Sequence, residues 1–177
     1  MAITTGTWNL DPTHTEIGFS VRHIMSKVRG KFETFEGTLV TAEPITDSKV
    51  TVEVDLSSIN TGTADRDNHL RSSDFFDVET HPKMTFATTG VVQKSEESYV
   101  VQGDLTIKGV TKPLELAVDF LGEGGDPWGG TRVGVEATGE ISRKEFGIDF
   151  NIPLEGDKVM IGDKITITIN AEAVLQA

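Results

Sequence analysis

The chain has 177 residues, 25% of them charged and 37% hydrophobic, with no cysteine and a formal net charge of −12. Disulfides, thiolate metal sites and cysteine nucleophiles are excluded, and the length suits one domain, residues 1–177, able to bury a sizeable core without staples. The 28 acidic residues outnumber 16 basic ones, and with no cluster of Lys and Arg in view the field should repel polyanions, so neither nucleic acid nor an anionic membrane surface is expected as a partner.

The opening MAITTGTWNLDPTH has no basic n-region and no apolar h-region, so a secretory signal is not expected and a cytoplasmic location is. Apolar runs are only a few residues long, too short for a spanning helix, and stable membrane insertion is not expected. Period-two alternation then dominates, the mark of strands with one buried face. Ile17, Phe19, Val21, His23 and Met25 share one parity against Gly18, Ser20, Arg22 and Ile24. A strand is predicted over Phe32–Thr41 and another over Val50–Leu56.

The segment Thr63–Ser72 breaks the alternation and predicts a short helix. Thr63 is placed to cap it, Asp65 and Asp67 favour the dipole in the first turn, and Asp67 with Arg71 makes an i,i+4 pair. Followed by Phe75–Phe76, this helix should lie as a lid across one barrel mouth. Further strands are predicted over Met84–Val92, Tyr99–Lys108, Leu114–Phe120, Arg132–Ile141 and Ile165–Ala173. Between two of them, Gly122–Gly130 reads as a hairpin tip, not a phosphate loop, because a strand and not a helix follows the glycines. The fold class is therefore all-β: an extended eight-stranded antiparallel barrel with one short helix between strands. A two-sheet sandwich is the competitor, and strands of about ten residues favour the barrel.

Chemistry-bearing motifs are sparse. The four histidines form no H-x-H or HExxH pair, so no metal is expected. Asp65-Arg-Asp-Asn-His opens like a calcium loop, but Leu70 and Phe76 occupy the positions that need Gly and Glu. There is no GxSxG, SxxK or P-loop. His23 and His69 are either satisfied core imidazoles or polar contacts in an apolar pocket. Phe19, Phe32, Phe35, Phe75, Phe76 and Phe86 fall around the predicted lid, and Phe146 and Phe150 bracket a later segment. An eight-stranded barrel is either filled by side chains or holds a ligand, and the pattern leaves both open.

One ordered set of motifs is more specific. Asp11-Pro-Thr-His14 precedes Ile17-Gly-Phe19 and Val28-Arg-Gly-Lys-Phe32; Arg66-Asp-Asn-His-Leu-Arg71 precedes Asp74-Phe-Phe-Asp77, His81-Pro and Thr85-Phe86. Gly103-Asp-Leu-Thr-Ile-Lys-Gly-Val-Thr-Lys112, Ile141-Ser-Arg143 and Phe146-Gly147 follow. Over nearly its whole length the chain resembles the YceI-like family of polyisoprenoid-binding, lipocalin-like barrels. The resemblance implies non-catalytic binding, storage or transport of a long-chain polyisoprenoid, a polyprenyl pyrophosphate or an isoprenoid quinone, with no cofactor, no metal and often a homodimer. Many members of that family are periplasmic. On this basis the inward parity supplies the lining: Ile17, Phe19, Val21, His23, Met25, Phe32 and Phe35, then His69, Leu70, Phe75, Phe76, Met84 and Phe86. Arg66, Arg71 and Arg143 are the candidates for an anionic head group, against the alternative that they are solvated or carboxylate-paired. Two other readings stand beside this one: an enzyme acting on an isoprenoid-like amphiphile with His23 or His69 as general base, and a structural barrel with a filled core.

Overall fold

The structure is a computed structural model describing residues 3–152, 154 and 160–177. Its first half is made of short strands: β1 (Gly6–Leu10), β2 (Glu16–His23), β3 (Ser26–Phe32), β4 (Phe35–Thr41), β5 (Lys49–Asp55) and β6 (Ile59–Asn60). Helix α1 (Ala64–Arg71) follows. Five long strands complete the chain: β7 (Lys83–Gln93), β8 (Ser98–Ile107), β9 (Val110–Gly125), β10 (Thr131–Ser142) and β11 (Ile161–Leu175).

The sheet runs β1–β4–β5–β7–β8–β9–β10–β11, and β1 pairs back onto β11 through Trp8 opposite Leu175 and Leu10 opposite Ala173. That pairing closes an eight-stranded antiparallel barrel and settles barrel against sandwich. The first three staves are each broken in two. Both β1 and β2 lie along the 15-residue β11, β1 at its C-terminal end and β2 against Ile161–Asn170. Likewise β3 continues into β4 and β5 into β6, and β2–β3–β6 extends the wall beyond the closed ring. Among the described residues β6 pairs with β3 alone, so no ladder joins β6 to β7, and α1 occupies that side.

The long strands follow from the alternation. In β8 and β9, Val101, Leu105, Ile107, Leu114, Leu116 and Phe120 are buried while Asp104, Glu115 and Asp119 point outward. The outer face carries the charges of Glu53, Asp104, Glu115, Glu136 and Glu140, where a membrane barrel carries an apolar band, and no described helix is long and apolar enough to cross a membrane. Buried side chains form three clusters along the barrel. The one farthest from α1 is built on the fully buried Trp8, whose indole N–H donates to Thr41 Oγ1 at 3.0 Å.

Several expectations need correction. Met25 is not inward-facing: with Ile24 it forms the turn between β2 and β3, and it is 91% exposed. Strand parity does not carry through a turn. The predicted Phe32–Thr41 strand is the end of β3 plus β4, and β1 and most of β3 were not anticipated. Helix α1 forms where expected, but Asp67 does not pair with Arg71. It is buried and accepts from the Thr61 N–H and hydroxyl, while Arg71 donates to the Ser57 and Ile59 carbonyls at 2.8 and 3.2 Å, tying α1 to β6. The side chain of Thr63 makes no cap bond at the helix start.

Candidate functional site

The barrel is hollow. A continuous cavity of about 460 Å³ runs along its interior, within the range of roughly 300–1,000 Å³ usual for small-molecule sites. Two glycines help keep it open. A Cβ at Gly30 would sit 2.5 Å from Phe19 Cζ, and one at Gly103 would collide with the Phe86 ring. Both rings therefore pack against a glycine in the wall, where a side chain would displace them.

Of the residues expected to line it, Ile17, Phe19, Val21, His23 and Phe32 come from β2 and β3, and Met84 and Phe86 from β7. His69, Leu70, Phe75 and Phe76 reach it from α1 and the turn after it. Phe35 does not line it; it is buried among Ile17, Phe32, Val54, Leu56 and Ile59. Much of the wall went unassigned in the sequence, notably the inward rows of β8, β9 and β11, including Val101, Leu116 and Ile167. Their alternation was plain, but nothing in it separates a lining residue from a core residue.

The cationic and imidazole groups of the lining gather at the helix end. His69 Nε2 lies 2.9 Å from Asp74 Oδ2, and its ring stands edge-on between Phe75 and Phe150, both centroids 5.0 Å away. Phe150 thus joins α1 to the segment before β11, a long-range contact the sequence did not reveal. The three arginines differ in what they have left to offer. Arg71 is spent on carbonyls and lies off the cavity. Arg143 lines it but is buried, with donors on the Gly162, Ile148 and Phe150 carbonyls at 2.9, 3.0 and 2.8 Å; burial lowers its pKa, opposed by Asp163 and Asp149. It is a clamp between the Ile148–Phe150 segment and β11. Arg66 uses Nε and Nη2 on Thr61 and Thr63, and among the described residues its Nη1 meets no acceptor. It is the cationic group at the cavity with donor capacity to spare.

A second polar cluster sits away from the cavity mouth. Arg132 Nη1 lies 2.7 Å from Asp11 Oδ2 and 3.3 Å from Glu172 Oε2, and its Nε 2.9 Å from Asp126 Oδ2. His14 Nδ1 is 2.8 Å from Asp11. The ligand atoms of Asp11, His14 and Glu172 are close enough to hold a metal ion, but the Arg132 guanidinium already supplies the cation there. The arrangement is an ion-pair clasp binding the β1–β2 junction to β10, β11 and the glycine-rich hairpin. Arg132 first, then Thr13 and His14, hold the Asp11 carboxyl well below the usual carboxylate range.

The family model for the YceI-like domain matches residues 8–173. The chain belongs to that family. A UPF0312 protein of Photorhabdus laumondii is 45% identical to this YceI-like chain over 135 residues, 75% of this chain and 70% of that protein. Among solved structures, Burkholderia cenocepacia BcnA superposes with a TM-score of 0.81 at 18% identity, over 92% of this chain and 98% of that one. A polyisoprenoid binding domain from Saccharophagus degradans superposes with a TM-score of 0.69 at 16% identity, over 98% and 100% of the two chains. At those identities the likeness speaks to the barrel fold.

Proposed function

We propose that this YceI-like chain binds a long-chain polyisoprenoid lipid in its barrel, without catalysis, to store or carry it. The observation that carries the reading is the open apolar cavity, lined along its length by Val, Ile, Leu and Phe, with its cationic and imidazole groups confined to the helix end. Such a site matches an amphiphile with a long greasy tail and one polar end. The polyisoprenoid binding title of the Saccharophagus degradans domain supports the same ligand class.

Magnitudes favour a long tail. Burying each carbon contributes about 0.8 kcal/mol, so three isoprene units yield about 12 kcal/mol gross. Association costs roughly 4–15 kcal/mol, which leaves little net affinity for short prenyl chains. Arg66, with its spare donor, is the residue that meets an anionic head.

Native mass spectrometry of gently purified protein tests the proposal. A retained or readily acquired polyprenyl pyrophosphate or quinone is expected. Protein that stays empty after incubation with both defeats it.

A further inference from the structure

The overall charge of the chain argues against any anionic surface, but the β2–β3 hairpin departs from that average. Between Ile17 and Phe32 there is no acidic residue, while Arg22, Lys27, Arg29 and Lys31 are four of the chain's 16 basic residues. The register sets Arg22 opposite Lys27, Ser20 opposite Arg29 and Gly18 opposite Lys31. All four basic side chains are exposed on the outer face, away from the inner row of Phe19, Val21, His23 and Val28 that lines the cavity. The cluster is made by strand pairing and is invisible in the chain-wide tally. None of the four is in an ion pair with a described residue. Like charges facing each other across a strand pair are unfavourable, and no ion pair with a described residue offsets that here.

Its tip is apolar. Met25 is 91% exposed and Ile24 47%. Ile24 holds φ at 56°, a region that β-branched residues rarely enter and that a glycine at this first turn position would fill with less strain. Two large apolar side chains are thus held in water where the backbone favours small polar ones. The tip also adjoins the cavity mouth. The Ile24 N–H donates to the Met160 carbonyl at 2.8 Å, and the Met160 N–H to the Ile152 carbonyl at 3.1 Å. Met160 and Ile152 line the cavity, and Ile152 is itself 45% exposed. Among the described acids beside the mouth, Asp74 is engaged with His69, Asp163 with Arg143 and Lys144, and Asp149 offsets the Arg143 charge.

We propose that the β2–β3 hairpin docks the protein on an anionic phospholipid bilayer. Ile24 and Met25 enter the boundary between head groups and acyl chains, and Arg22, Lys27, Arg29 and Lys31 meet lipid phosphates. This is surface docking by a loop, not insertion of the barrel. The excess of acid elsewhere does not forbid it. Charges are screened over about 8 Å at physiological ionic strength, whereas the 16-residue β9, at about 3.4 Å per residue and tilted as barrel strands are, spans roughly 40 Å of the barrel axis. That the docked mouth receives its lipid from the bilayer rests on the carrier reading above; the docking itself does not.

Co-sedimentation with phosphatidylcholine vesicles, with and without phosphatidylglycerol, tests the docking. Binding is expected only to the anionic vesicles and should fall as salt rises. A basic residue near such a surface contributes about five-fold in affinity, so Lys27→Glu with Arg29→Glu should abolish measurable binding. Ile24→Gly with Met25→Ser, which relieves the positive φ at residue 24 and should not lower the melting temperature, should weaken binding several-fold. Equal binding to neutral vesicles, no binding to either, or undiminished binding by either variant overturns the proposal. Loading with detergent-dispersed polyprenyl pyrophosphate should be unchanged in both variants, which lie off the cavity. Protein that loads but ignores vesicles defeats docking alone; protein that binds vesicles but never loads defeats the carrier reading alone.

Discussion

Whether the lumen is truly vacant can be read from two phenylalanines that differ in little else. Phe35 is 9% exposed and packed on all sides by protein, while Phe86 is 8% exposed and borders the cavity. Truncating a core Phe to Ala costs about 3–5 kcal/mol, the sum of a transfer term and a term for the void left behind. At about 24 cal/mol per Å³, the roughly 90 Å³ removed gives a void term near 2 kcal/mol. Phe35→Ala should incur both terms, for a loss of about 4 kcal/mol. At Phe86 the neighbouring void already exists, so the loss should be about 2 kcal/mol. Urea unfolding of both variants, followed by tryptophan fluorescence with Trp8 buried in the barrel, measures the difference. Equal losses would mean that the wall closes around Phe86 as tightly as around Phe35, and the space proposed for a lipid tail would not exist.

Gly30→Ala should swing the Phe19 ring into the lumen, lowering lipid uptake measured by native mass spectrometry while costing only about 1 kcal/mol, because only side chains stand in the way of the new methyl; unchanged uptake would refute the role given to that glycine. Arg66→Gln should weaken a polyprenyl pyrophosphate by about ten-fold or more, the worth of a hydrogen bond to a charged group, and leave a quinone of equal tail length unaffected in competition titrations. Equal loss for both ligands would remove Arg66 from the head-group site. The depressed pKa of Asp11 means that its stabilising pairs hold in full above its unfolded value of about 3.9 and fade as pH falls toward the folded value. The stability gap between wild type and Asp11→Asn should therefore be open at neutral pH and narrow below about pH 4; a gap unchanged across that range contradicts the clasp.

The long strands were legible because their inward and outward residues alternate without interruption, as in Leu114, Leu116, Val118 and Phe120. The helix stood out as the segment that did not alternate. Strand β3 was not legible because its inward row contains Gly30, where the chain gives up a side chain to seat the Phe19 ring, so the pattern weakens where the packing is tightest. The clasp was hidden by distance, since Asp11 and Arg132 are 121 residues apart. Met25 falls outside the inward row because the parity of β2 ends at a turn that only the backbone of Ile24 reveals. The candidate site was half visible: the lining of β2, β3 and β7 could be named, but sequence alone could not say whether inward side chains meet or leave a void.

Since α1, and not a run of backbone hydrogen bonds, covers the side of the barrel between β6 and β7, the wall has a seam. Arg66, Asp67 and Arg71 tie the helix to β6 and the residues flanking it, but among the described residues no hydrogen bond ties it to β7. Breathing of the protein should begin there, as the helix lifts while the β8–β11 ladders stay intact. In hydrogen exchange, the amides of α1 should trade with solvent long before those of β9 and β10. A guest too bulky for the end of the tube would then still have a door in its side.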